Sequence, residues 1–175
     1  MSKVVAKKIC MVGPFAVGKT SLVRRFVESI FSDNYLTTIG VKISKKIVEA
    51  EQQQVNLMIW DIEGVDIFTA LKPSNLRGAA GVLLVLDGTR PASVEMAEDM
   101  HKTLREHLPE IPIVCLINKS DLTFDWKIET ADIQGLEKLG MTTLKTSAKT
   151  GDNVDQAFRL MVEKMGFNTV DPVSS

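Results

Sequence analysis

Eight residues limit this chain more than any others: Gly13-Pro14-Phe15-Ala16-Val17-Gly18-Lys19-Thr20. They fit G-x-x-x-x-G-K-[ST] and fall between an apolar run, Val4 to Val12, and a helical stripe, Lys19 to Ile30, with Leu22, Val23, Phe26, Val27 and Ile30 on one side. Glycines let such a loop curl until successive N–H groups face an anion, and the helix that follows adds its positive end. Gly13, Ala16, Val17 and Gly18 would then line a phosphate. Lys19 would reach the β- and γ-phosphates, and the Thr20 hydroxyl would ligate magnesium. A strand feeding a helix through such a loop implies an α/β sheet.

The rest of the chain keeps that rhythm. Val41–Val48 and Val55–Trp60 read as a hairpin turned by Glu49–Gln53, with one half-exposed antiparallel strand at the sheet edge. Gly81–Leu86 and Ile111–Ile117 are buried strands, and Met141–Thr146 is a short one. Helices are expected at Pro91–His107, at Thr130–Leu139 with Thr130 as N-cap and Gly140 at its stop, and at Asn153–Met165 before Gly166. Alternation of this kind gives a doubly wound, mostly parallel sheet that binds ligands at the carboxyl ends of its strands. The 175 residues suit one domain, with a tail from about 168 expected to fray.

Composition mainly excludes. A net charge of −1 gives no electrostatic reason to expect nucleic acid or an anionic membrane as partner. Cys10 and Cys115 sit in apolar runs without metal-ligand spacing and read as strand core in a reducing compartment. No apolar run reaches membrane-spanning length, and MSKVVAKK has no secretory h-region and no Gly at position 2 to myristoylate. VDPVSS offers no Cys to prenylate. A cytoplasmic protein with no intrinsic membrane anchor is expected.

Three further motifs fall at strand ends. Asp61-x-x-Gly64 can aim a carboxylate at a magnesium ion and a backbone amide at a phosphate. Asn118-Lys119-Ser120-Asp121 follows a buried strand. A carboxylate at Asp121 can accept two N–H donors from guanine N1 and N2, a pair that adenine lacks at that edge. Asn118 would tie this loop to the phosphate loop, and the Lys119 stem would lie over the base. Ser147-Ala148-Lys149 can offer a backbone N–H to guanine O6.

Together these residues resemble the Ras superfamily of small GTPases over nearly the whole chain, and its Rab branch most. Thr38-Ile39-Gly40-Val41 looks like that branch's first switch. Trp60-Asp61 and Arg77-Gly78-Ala79-Ala80-Gly81-Val82 look like its second switch and following strand. The resemblance implies a P-loop NTPase fold with a six-stranded sheet and five helices, binding GTP or GDP with Mg2+. It implies Thr38 on magnesium through its hydroxyl, the Thr38 and Gly64 amides on the γ-phosphate, and Asp61 on magnesium through a water. It also implies Phe31 edge-on to the guanine, with a place in the core as the lesser alternative because Phe31 follows the apolar face of the first helix. Tyr35 would close over the phosphates and Ser21 would be a further nucleotide contact. Protein effectors, an exchange factor and a GTPase-activating protein would be its partners.

Three departures cluster at the γ-phosphate. Val65 replaces the glutamine that orients the attacking water, so no catalytic residue is certain. Phe15 stands where the family has a small residue, and so does Glu63. The sequence therefore fits a switch that hydrolyses GTP slowly unless a partner supplies the missing groups. It also fits a GTP-loaded scaffold with negligible hydrolysis. A third option, with Glu63 or Asp66 placing the water, has backbone spacing against it. A P-loop kinase fits poorly: beyond Arg24-Arg25, which reads as a solvated face, no arginine cluster suggests a lid. Ile43 and Leu76 stand where the Rab branch often has aromatics, leaving Trp60 in an apolar effector patch. Trp126 reads as packing.

Overall fold

The computed structural model describes residues 3–27, 34–36, 41–62 and 71–170; for 34–36 it defines the backbone only. β1 (Lys3–Val12) leads through the phosphate loop to α1 (Lys19–Val27). β2 (Asn34–Leu36), β3 (Val41–Glu49) and β4 (Gln53–Ile62) follow, then the one-turn α2 (Pro73–Leu76) and β5 (Ala79–Asp87). The chain continues with α3 (Ala92–His107), β6 (Ile113–Asn118), α4 (Thr130–Lys138), β7 (Thr142–Lys145) and α5 (Val154–Lys164).

The strands form one sheet in the order β2-β3-β4-β1-β5-β6-β7. Six of these seven strands are those anticipated, and five of the six run parallel. β3 is the antiparallel one, paired with β4 from Val41↔Ile62 to Glu49↔Gln54. The three-residue β2 adds a rim outside it. β1, central and paired on both sides, is fully buried from Ile9 to Val12. A strand covered on both faces has to be apolar throughout, which is why its last four residues are Ile-Cys-Met-Val.

Two apolar layers sandwich the sheet. One gathers α1 and α5 over Ile9, Met11, Leu57, Ile59, Leu83 and Val85. The other gathers α3 and α4 residues over Cys10, Val12, Val82, Leu84 and Leu86. The alternation of odd and even residues along β1 and β5 between the layers follows from the two-residue period of a strand. Burial holds both thiols neutral, raising Cys10 to about 11 and Cys115 to about 12.

One expectation is corrected. Glu129, not Thr130, caps α4: its carboxylate accepts the Asp132 amide while the Asp132 side chain accepts the Glu129 amide, a reciprocal capping box. Of the tail from 168, the described residues are 168–170. Thr169 bridges Ala50, Val170 N–H donates to Glu49, and Glu51 N–H donates to Asn168, so 168–170 pair with the β3–β4 turn. No helix among the described residues is long and apolar enough to cross a membrane.

Candidate functional site

The carboxyl ends of β1, β5, β6 and β7 bring the phosphate loop and both predicted base-reading loops to one edge of the sheet. Val17 is buried beneath the phosphate loop, while Phe15 and Ala16 are exposed. Ala16 and Lys119 both hold positive φ, +61° and +71°, without being glycine. Gly13 and Gly18 are required by close approach. A Cβ on Gly13 would lie 2.3 Å from the Val85 carbonyl oxygen, and one on Gly18 would lie 2.4 Å from Asn118 Nδ2.

Lys19 is buried, and its ammonium donates to the Gly13 and Pro14 carbonyls at 3.1 and 3.2 Å. Gly18 supplies the first helical acceptor, taking the Leu22 amide at 3.0 Å. The amides at the start of α1 have no acceptor within the helix, which makes this end suited to an anion. Thr20 Oγ1 donates to Asp61 Oδ2 at 2.6 Å, and Asp61 is wholly buried. A hydroxyl beside a buried carboxylate is an all-oxygen donor set, the chemistry a magnesium ion selects. Ser21 is exposed one residue further on.

Asn118, at the end of β6, links three segments. Its Nδ2 donates to the Val17 carbonyl at 2.9 Å, and its Oδ1 accepts Thr146 Oγ1 at 3.1 Å and the Ala148 amide at 3.3 Å. Lys119 Nζ donates to the Ala16 carbonyl at 3.1 Å. Asp121 accepts the Ser147 hydroxyl at 2.7 Å on Oδ1, leaving Oδ2 as its second acceptor. Ser147 is buried, Ala148 half-buried and Lys149 exposed. Trp126 packs as expected: it covers Gly88, where a Cβ would meet its ring at 2.0 Å, and donates to the Ile128 carbonyl at 2.9 Å.

Residues absent from the sequence reading complete this edge. Asp87, buried at the end of β5, accepts Lys119 Nζ at 2.8 Å, the Thr89 amide at 2.9 Å and the Thr89 hydroxyl at 2.6 Å. Arg90 Nε lies 3.3 Å from the same carboxylate. Burial works against the Asp87 charge, but hydrogen bonds from Lys119 and Thr89 outweigh it and hold the pKa below the usual carboxylate value. The only signal was the polar Asp87-Gly88-Thr89-Arg90 directly after a six-residue apolar strand core. Arg25, read as solvated, is exposed but donates to the Thr150 carbonyl at 3.0 Å, tying α1 to the loop after β7.

Phe31, Thr38, Glu63, Gly64, Val65 and Asp66 lie outside the described residues. Tyr35 is placed only by its backbone, paired with Ile43. The expected apolar patch is reduced: Leu76 is core, and Ile43 and Trp60 are half-buried. The Lys8 ammonium sits 3.5 Å from the Trp60 ring centroid while donating to the Arg77 carbonyl at 2.8 Å. Its partial burial lowers the Lys8 pKa.

A G-x-x-x-x-G-K-T loop between a strand and a helix, with the Asn118 and Ser147 loops tied to it at the ends of a parallel sheet, is the arrangement of the P-loop class. The Ras family model matches residues 8–166. The Ras-related protein SEC4 of Saccharomyces cerevisiae is 35% identical over 169 residues, covering 92% of this chain and 77% of that protein. RABA2a of Arabidopsis thaliana is 34% identical over 160 residues, covering 90% and 74%. Rab-7L1 of Mus musculus is 32% identical over 176 residues, covering 96% and 86%. The chain belongs to the Ras family, as a Rab-like small GTPase.

Proposed function

We propose that this GTP-binding protein is a magnesium-dependent switch in the cytoplasm whose GTP hydrolysis is slow unless a partner assists. The observation that carries the reading is Val65 in place of the water-orienting glutamine. Phosphoryl transfer needs positioning and charge stabilisation more than covalent help. A valine has no group with which to orient water, and the intrinsic rate of this class is already ~10⁻⁴–10⁻³ s⁻¹.

The chain's own residues would do the rest. Amides from Ala16 to Thr20 and the Lys19 ammonium would bind the phosphates, together with the Thr38 and Gly64 amides. Asp121 would read guanine, Lys119 and Phe31 would flank it, and the loop at Ser147-Ala148-Lys149 would meet its O6. Ser21 and Tyr35 would add contacts. Thr20, Thr38 and, through a water, Asp61 would hold magnesium, which when bound neutralises phosphate charge. γ-Phosphate contacts at Thr38 and Gly64 would order both switch segments and so control effector binding. An exchange factor and a GTPase-activating protein would set the cycle. Phe15, exposed on the phosphate loop, favours a second reading, a scaffold kept GTP-loaded, because a ring there crowds any group approaching the γ-phosphate.

Single-turnover hydrolysis of bound GTP, wild type beside Val65→Gln, tests this. Slow wild type with a faster glutamine variant supports the first reading. Ordinary wild-type turnover would exclude both and direct attention to Glu63.

A further inference from the structure

Three successive carbonyls of the phosphate loop are each held by a side chain from the neighbouring strand ends. Phe15 O accepts Arg90 Nη2 at 2.6 Å, Ala16 O accepts Lys119 Nζ at 3.1 Å, and Val17 O accepts Asn118 Nδ2 at 2.9 Å. In a planar trans peptide the carbonyl of one residue and the N–H of the next point opposite ways. Fixing these three carbonyls toward β5 and β6 therefore turns the amides of Ala16, Val17 and Gly18 away from them. Those are the amides an anion in the loop would meet.

Asn118 and Lys119 belong to the base-reading motif, so two of the three holds come from the loop that would carry the guanine. The third does not. Arg90 follows β5, and among the described residues its side chain also meets Asp87, which receives Lys119 at 2.8 Å. One buried carboxylate thus gathers two cations, and each cation holds one carbonyl of the loop. With a guanidinium, one side chain can face both ways at once, Nε to Asp87 and Nη2 to Phe15 O.

We infer that Arg90 is a positioning residue for nucleotide retention, anchored on Asp87 and presetting the amide of Ala16 toward the phosphates. The inference rests on the guanine-nucleotide reading above. Arg90 is close to half exposed, which moderates its effect. A charge-assisted hydrogen bond of this kind corresponds to roughly a fivefold change in release rate.

The test is the release of ribose-labelled fluorescent GDP, and of the corresponding IDP, from wild type, Arg90→Ala and Arg90→Lys. IDP lacks the exocyclic amine, so comparing it with GDP isolates base recognition. Arg90→Ala is expected to release both nucleotides about fivefold faster, with the GDP-to-IDP ratio unchanged. Arg90→Lys, whose ammonium can still reach one carbonyl, should recover most of the loss. Unchanged release in Arg90→Ala overturns the inference, as does a shifted GDP-to-IDP ratio or a lysine variant no better than alanine. If Arg90→Ala melts early without nucleotide, Arg90→Lys and Arg90→Gln, which keep bulk there, decide the matter. A wild type that does not hold GDP would remove the nucleotide reading itself, before any variant is compared.

Discussion

Thr20 Oγ1 and Asp61 Oδ2 are 2.6 Å apart across 41 residues of sequence, joining the first turn of α1 to the end of β4. Their separation in sequence is large because β4 must pair with β1 before Asp61 can reach the helix that β1 feeds. Under the proposed function Asp61 orients a water on magnesium rather than binding the ion itself. Outer-shell groups of this kind typically change metal affinity by about 10–100-fold when removed. Asp61→Asn keeps the shape and loses the charge. It should shift the magnesium dependence of GDP release to higher concentration by that factor, while release in excess chelator stays at the wild-type rate. Equal shifts in chelator would mean that Asp61 acts only through packing.

Asp121 gives a specificity prediction. Its Oδ1 is committed to the Ser147 hydroxyl, so the second carboxylate position is the one that can face a base. In Asp121→Asn the same hydrogen bond would keep the amide oxygen on Ser147 and turn the NH2 outward. A donor there repels the guanine N1–H and N2–H donors and suits the C2 carbonyl of xanthine. The variant should lose GDP affinity by on the order of 10²-fold or more and gain for XDP. Competition of the two diphosphates against a labelled nucleotide measures it.

Gly18 faces a steric limit that its neighbours do not. It sits at φ +99°, and an added Cβ would fall 2.4 Å from Asn118 Nδ2. Gly18→Ala must therefore push Asn118 off the Val17 carbonyl or re-form the loop. Thermal stability should fall modestly, by about 1–2 kcal/mol for the strained backbone. GDP binding should fall far more, because the amides of the loop lose their common direction. A variant that melts like wild type and still retains GDP would show that the loop tolerates a rotated peptide here.

The phosphate loop and the strand-end motifs were legible because backbone curvature, helix ends and base edges demand particular residues at particular spacings. Sheet order was legible for the same reason: alternating strands and helices leave few ways to cover a parallel sheet. Asp87 and Arg90 were not, since a polar Asp-Gly-Thr-Arg after a strand reads as an ordinary turn until the fold sets it beside Phe15 and Lys119. The pairing of 168–170 was not legible because polar Asn168 and Thr169 carry no strand pattern, and only the β3–β4 turn gives their backbone a partner. The burial of Leu76 was not legible from its place where the Rab branch often has an aromatic; the single turn of α2 sets it and Asn75 inward while Ser74 and Arg77 face out.

Phe158 tests how far the core supports the site. Its ring stacks on Phe26 with centroids 3.9 Å apart, and it is fully buried between α5 and α1. Since α1 carries Lys19 and Thr20, this stack fixes the helix whose first turn ends the phosphate loop. Phe158→Ala removes a large buried ring and should cost about 3–5 kcal/mol. That is a large share of the 5–15 kcal/mol typical of a domain. Denaturant unfolding should show the loss, and saturating GDP should recover part of it by mass action.

The buried thiols should make stability fall at alkaline pH. Cys115 is raised to about 12 and Cys10 to about 11, in both cases chiefly by burial. In the unfolded chain a thiol ionises near ~8.5. Below that both states carry the proton, and these groups add no pH dependence. Above it the unfolded state releases protons that the native state retains, so stability falls as pH rises, through to the raised native values. Lys8 has the opposite sign: desolvation lowers its pKa, so the native state gains relative to the unfolded one as pH rises toward ~10.4. Wild type should therefore lose stability from about pH 8.5 upward. Cys115→Ala, though less stable near pH 7 because of its cavity, should show a shallower decline. Urea midpoints at several pH values between 7 and 10.5 measure both slopes, and parallel slopes would rule out Cys115 as a cause.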